Sequence, residues 1–235
     1  MRHAVFSLLA RMVPLALGTQ GKQRLSILIY HRVVNEFDPM RPAEPTREIF
    51  DWQMRLVRQY FNPLSLLEAL EKLDSGQLPE RAICVTFDDG YADNQLHAMP
   101  ILRKYAVPAT VFVSTGFLNG GRMWNDSLIE FFRCVKGDSL DLNELGLGRH
   151  DTTNMDARLA SAERVIAAIK YRDPAERVQL VEQIQGRFES ECLPDDLMMT
   201  DAQVRSLASN GVTIGAHTVS HPILASVTDE VAHRE

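Results

Sequence analysis

Cysteine is scarce and dispersed: Cys84, Cys134 and Cys192 stand far apart with no CxxC pair, so the chain carries no cysteine-based metal or redox motif. Their odd number and wide spacing read as free thiols, which fits a reducing compartment, although an exported protein can also do without disulfides. Positive charge is not in excess either. Lys and Arg number 25 against 31 Asp and Glu, a formal net charge of −6, and they are spread along the chain. Nucleic acid is therefore not an expected partner. Long apolar runs are missing too, for nothing approaches the roughly 20 residues of a membrane-spanning helix. At the amino terminus Arg11 interrupts the apolar stretch Ala4 to Ala10, while Val5, Leu8, Leu9, Met12 and Val13 recur at helical spacing. Residues 1–24 are thus expected to form an amphipathic segment packed on the domain or lying on a membrane surface. A signal peptide or anchor is the alternative, because Ala16-Leu17-Gly18 loosely resembles a cleavage site. The expected location is cytoplasmic or peripheral to a membrane, with export left open.

What is present is enough for a sizeable core: 235 residues, 45% hydrophobic and 24% charged. Leu25 to Tyr30 reads as a buried strand that delivers His31 at its carboxyl end. Helices are expected over Thr46 to Tyr60 and Leu64 to Leu73. A second strand, Ile83 to Phe87, ends in Asp88-Asp89-Gly90; a helix through Leu96, Met99, Ile101 and Leu102 follows, despite Pro100, and leads into a third strand, Ala109 to Val113. Residues 117–199 read as a helical insertion. It has a helix capped by Asn125 or Asp126, an irregular stretch from Asp138 to Asn154, and helices over Ala157 to Tyr171 and Pro174 to Glu189. Thr200 and Gln203 form a capping-box pattern before a helix that Asn210-Gly211 stops, and Val212 to Ala216 is a fourth strand ending in His217. Alternation of strand and helix is the signature of parallel βα units, whose carboxyl ends share one face.

That face would collect His31, Asp88, Asp89, Ser114, Thr115 and His217. Two adjacent carboxylates at a strand end cannot both stay ionised cheaply unless a cation or hydrogen-bond donors take one up. His217-Thr218-Val219-Ser220-His221-Pro222 holds two imidazoles four residues apart, on one face of a helix or, because Pro222 disfavours helix at His221, around a tight turn. Two histidines and one carboxylate make three protein ligands with a fourth position open, as in catalytic zinc sites. An isolated HxxxH or DDG is more often structural. Their joint placement at the ends of parallel strands is harder to dismiss.

Thr86-Phe87-Asp88-Asp89-Gly90 together with His217-Thr218-Val219-Ser220-His221 resembles the first two motifs of the polysaccharide deacetylase family, the NodB-homology domain of carbohydrate esterase family 4. Leu28 to Val33 and Pro108 to Val113 also look like family segments. The resemblance implies an α/β fold, an incomplete distorted (β/α) barrel with about four parallel strands in residues 25–235. It implies Asp88 as catalytic base and Asp89, His217 and His221 as ligands of a divalent metal, most often Zn2+. Such a metal polarises an amide carbonyl and lowers the pKa of water from 15.7 towards about 7, so that a neighbouring carboxylate can accept its proton. The implied reaction is removal of N-acetyl groups from an amino-sugar polysaccharide of exopolysaccharide or cell-wall type. His31, Tyr91 and Trp124 are further candidates for substrate contact. Two of them have a plain alternative: a structural hydrogen bond for His31 and the core of the insertion for Trp124. Asp93 and Asn94 read equally well as helix caps. The family's later motifs, an arginine with a nearby proline and a histidine acid, do not follow His221, so a partial domain is expected. A catalytically inactive carbohydrate-binding or regulatory remnant of the same fold is the second reading.

Overall fold

Val85, Thr86 and Phe87 belong to β3 (Ala82–Phe87), all six residues of which are buried, as befits a strand with neighbours along both edges. In this computed structural model, which describes residues 24–187 and 193–235, β3 pairs in parallel with β1 (Leu25–Tyr30) and with β4 (Ala109–Val113). β4 in turn pairs in parallel with β7 (Thr213–Ala216), giving the order β1-β3-β4-β7. The short β2 (Asn62–Pro63) runs beside the start of β3. This is the α/β arrangement that the alternation of strand and helix implies. The segment expected over residues 1–24 lies, apart from Arg24, outside the described residues.

Register fixes the height of each strand end. Tyr30 lies opposite Phe87, and Val113 opposite Ala216. His31 and Asp88 therefore leave the sheet at one level, and Ser114 and His217 leave it together at another.

Helices cover the sheet through apolar side chains at helical spacing. α1 (Arg47–Tyr60) starts at Thr46, whose hydroxyl accepts the Ile49 amide, and buries Phe50, Met54, Val57 and Tyr60. Phe50 stands edge-on to Tyr30 at 5.2 Å and to Phe87 at 5.8 Å. α2 (Leu66–Asp74) is capped by Ser65. A π-helical turn, Asn94–Ala98, runs into α3 (Met99–Tyr105) and keeps Pro100 within the first turn, where its missing N–H costs nothing. The side chains of Asp93 and Asn94 do not cap this helix. Asp93 instead pairs with Arg32 at 2.8 Å and accepts the Val33 amide, and Asn94 donates to the His31 carbonyl.

β1 departs from the buried strand expected of its apolar run: Ile27 is 45% exposed and Ile29 63%. It is the edge of the sheet, paired only on its β3 side among the described residues.

The excursion between β4 and β7 has a core of its own. α4 (Trp124–Cys134), α5 (Met155–Ile169) and α6 (Pro174–Arg187) enclose Leu128, Phe131, Phe132, Val165, Ile169 and Ile184. The stretch expected to be irregular contains an antiparallel hairpin, β5 (Ser139–Leu142) with β6 (Gly148–Asp151). Its apolar signal is short: Leu140 and Leu142 of β5 turn inward, alternating with exposed Ser139 and Asp141, and β6 adds only His150 to the buried side. α4 begins at Trp124 without a side-chain cap. Asp126 has a different task, accepting Arg41 Nη2 at 2.8 Å and the Tyr91 hydroxyl at 2.9 Å. Arg41 also donates to Glu130, and Arg133 makes a two-pronged pair with Asp38 at 2.8 and 2.7 Å. This buried network ties the loop after β1 to the insertion, and Tyr91 ties the insertion to the acidic pair. Thr200 and Gln203 form the expected capping box ahead of α7 (Asp201–Ser209). Cys134, read above as a free thiol, is disulfide-bonded; Cys84 is free and buried.

Candidate metal centre

Beyond β3 the chain turns on two left-handed residues, Asp89 (φ 75°) and Gly90 (φ 89°). For Asp89 this conformation is costly, by about 1–3 kcal/mol, and persists only where surrounding contacts over-determine it. Those contacts are visible. The Asp88 amide donates to the Tyr30 carbonyl at 2.9 Å, the Ser114 amide donates to the Asp89 carbonyl at 3.0 Å, and the Ser114 hydroxyl donates to the His217 carbonyl at 2.8 Å. Ser114 is fully buried and so joins the two motif-bearing strand ends. After His217 the chain makes a tight turn rather than a helix: Thr218 and His221 both have positive φ, and the His221 amide donates to the Thr218 hydroxyl at 3.0 Å. Gly116 lets this turn approach, its amide donating to the Val219 carbonyl; a Cβ there would lie 2.6 Å from that oxygen.

The turns bring together three side chains. Asp89 Oδ1 lies 3.4 Å from His217 Nε2 and 3.3 Å from His221 Nε2, and the potential ligand atoms of all three lie within 4.8 Å of one another. Two atoms bound at about 2.0–2.1 Å around a tetrahedral ion stand about 3.3–3.4 Å apart, so these spacings suit one. A second observation agrees. Asp89 is only 4% exposed, yet its Oδ1 has no hydrogen-bond partner. A buried carboxylate oxygen left in this way is costly unless a cation meets it. Burial raises the Asp89 pKa; the surrounding histidines pull against it and Asp88 adds to it. Burial also lowers the pKa of His221, keeping the imidazole in the neutral form a metal needs. The residues therefore fit a divalent metal with nitrogen and oxygen ligands.

Asp88 is half-buried beside this set and outside it, close enough for its charge to be felt at Asp89. His31 is exposed at the neighbouring strand end, and its charge reaches Asp89, His221 and Glu44. The other two candidates are placed differently. Tyr91 is buried, its hydroxyl donating to Asp126 and its ring lying under Arg32 at 4.8 Å. Trp124 packs against the insertion core, with the Arg177 guanidinium 4.6 Å over its ring. Sequence reasoning missed the bridging role of Ser114, although its position at a strand end was visible. It missed Arg32, Glu44 and Arg177 altogether, since a charged side chain does not announce its partner.

A parallel βα sheet whose carboxyl ends hold two histidines and a carboxylate, with a second acid alongside, defines an α/β protein with a site suited to a divalent metal. The sequence profile of the polysaccharide deacetylase family matches residues 75–235, and the chain belongs to that family. It is 32% identical over 96 residues to YxkH of Bacillus subtilis (strain 168), described as a polysaccharide deacetylase, covering 40% of this chain and 33% of that one. It is also 32% identical over 92 residues to a poly-beta-1,6-N-acetyl-D-glucosamine N-deacetylase of Staphylococcus aureus (strain N315), covering 39% of this chain and 32% of that one. The chain thus spans about a third of the length of these relatives. Among solved structures, the Streptococcus pyogenes deacetylase PplD in complex with acetate superimposes with a TM-score of 0.52 at 20% identity, over 91% of this chain and 64% of that one, which is a likeness of fold.

Proposed function

We propose that this site hydrolyses N-acetyl groups on an amino-sugar polysaccharide of exopolysaccharide or cell-wall type. The observation that carries the reading is the buried Asp89 Oδ1, without a hydrogen-bond partner and set 3.4 Å from His217 Nε2 and 3.3 Å from His221 Nε2. Family membership and the substrate in the staphylococcal relative's name support it. Asp89, His217 and His221 hold the metal, with Zn2+ the first choice for two imidazoles and a carboxylate. When bound, the metal polarises the acetyl carbonyl and acidifies water. Asp88 takes the proton from the attacking water. His31, exposed at the adjacent strand end, is placed to contact the substrate, and hydrolysis of the carbon–nitrogen bond leaves acetate and a free amino sugar. Ser114 acts at one remove, by fixing the relative positions of Asp89 and His217.

The Cys134 disulfide supports an oxidising location for the chain in place of the cytoplasmic one suggested by cysteine spacing.

The test is acetate release from N-acetylglucosamine oligomers. The zinc-loaded chain is expected to release acetate, to stop when a chelator strips the metal and to resume when zinc is returned. A folded, zinc-loaded chain that releases none would reject the hydrolytic reading and leave a carbohydrate-binding module.

A further inference from the structure

Arg177 is the exception among the buried arginines. Even the partly buried Arg32 meets Asp93, and Arg41 meets Asp126 and Glu130. Arg177 is just as buried, at 5% exposure, yet no carboxylate among the described residues forms an ion pair with it. Its Nη1 donates to the Lys170 carbonyl at 3.0 Å, its face covers Trp124, and its buried Nε has no partner at all. Asp173 acts on it only through its charge, without a direct ion pair and by less than burial costs, and a guanidinium so weakly compensated is destabilising unless an anion arrives from outside.

There is space for one. Arg177 lines a cavity of about 260 Å³ between the corner joining α5 to α6 and the segment 223–227, with Lys170, Arg172, Asp173, Ile223 and Val227 among the other walls. Three of these carry positive charge. Asp173, the one acid of the wall, is engaged in capping α6, its Oδ1 accepting the amides of Ala175 at 2.9 Å and Glu176 at 3.3 Å. Arg172 pairs with exposed Glu176 outside the cavity wall at 2.9 Å, which leaves Lys170 and Arg177 to outweigh the single negative charge of Asp173 in the wall. The volume falls below the roughly 300–1,000 Å³ of pockets that enclose a whole drug-sized ligand, so it suits a substituent or a single sugar unit rather than a length of chain.

The cavity is also beside the metal set. Ile223 follows His221 and Pro222 directly in sequence, and the charge of Arg177 is among those acting on His221. We propose that this cavity binds an anionic group, a carboxylate or phosphate carried by the polysaccharide, and so selects polymers bearing negative charge near the acetylated sugar. That the anion is carried on a polysaccharide rests on the proposed deacetylase function; the anion site itself rests on Arg177 and the cavity.

The experiment follows the Arg177 Nε–H resonance of the zinc-loaded chain by 15N NMR during titration with sodium glucuronate, glucose 6-phosphate and, as the neutral control, glucose. A saturable shift with either anion and none with glucose is expected. Lys170→Gln, on the exposed rim, should weaken binding about threefold, the size of a partly screened surface charge. Response to glucuronate alone assigns a carboxylate-bearing polymer, and response to glucose 6-phosphate alone a phosphate-bearing one. No saturable shift with either anion, or an equal shift with glucose, overturns the proposal. The readout needs no turnover, so it stands or falls separately from acetate release.

Discussion

A chain carrying Asp88→Asn is expected to keep its zinc at the wild-type stoichiometry and to release acetate about 10²–10⁴-fold more slowly, the usual contribution of a positioned general base. Asparagine has the shape of the carboxylate and cannot accept the proton of the attacking water. The position itself should survive the change, because Asp88 is held through its backbone, its amide donating to Tyr30 and its carbonyl accepting Gly90. Asp88 also lies outside the group of atoms that suits a metal. Its substitution should therefore separate two properties that Asp89→Ala would remove together. Loss of zinc on Asp88→Asn would make Asp88 a ligand and reverse the roles of the two acids.

Arg41→Met is expected to destabilise the fold by about 3–5 kcal/mol, the typical cost of removing one partner from a buried ionic cluster. Methionine fills much of the space but leaves Asp126 buried without its cation, with Tyr91 alone to satisfy one of its oxygens, and leaves Glu130 to Arg133 alone. Acid should reveal the same network. Burial alone would raise the pKa of Asp38 and Glu130, but hydrogen bonds from Arg133 and the charge of Arg41 outweigh it and hold both below their ordinary values of 3.8 and 4.5. A carboxyl whose folded pKa is depressed contributes stability that is present above its unfolded pKa and lost as pH falls through its folded one. Glu44 and Asp93, whose pKa values burial raises, act in the opposite sense. The informative quantity is therefore the difference between wild type and Arg41→Met in urea unfolding, which should be largest near neutrality and shrink below about pH 4. A difference independent of pH would assign the loss to packing.

The parts of this architecture written in consecutive residues could be read in advance. Ile83 to Phe87 and Ala109 to Val113 are short apolar runs closed by turn residues, and they occupy the centre of the sheet. Thr200 and Gln203 announce a helix start because both halves of the cap lie within four residues. The grouping of Asp89, His217 and His221 was legible because its residues are confined to two short motifs. What could not be read depends on partners distant in sequence. Leu25 to Tyr30 looks the same whether a strand is central or at an edge, and only pairing decides the exposure of Ile29. Asp126 looked like a helix cap until Arg41, 85 positions away, claimed it. Asp93 was drawn off by Arg32 in the same way. Cys134 could not be assigned from spacing, and the hairpin of residues 139–151 has too few apolar residues to show its period.

The central claim is that Asp89, His217 and His221 together hold a catalytic metal. Zinc retained per folded chain, measured after exhaustive dialysis for the wild type, Asp89→Ala and His217→Ala, tests it most directly. A single tightly held zinc in the wild type, lost in both variants with their secondary structure intact, is the predicted result. Unchanged zinc in folded Asp89→Ala would contradict it.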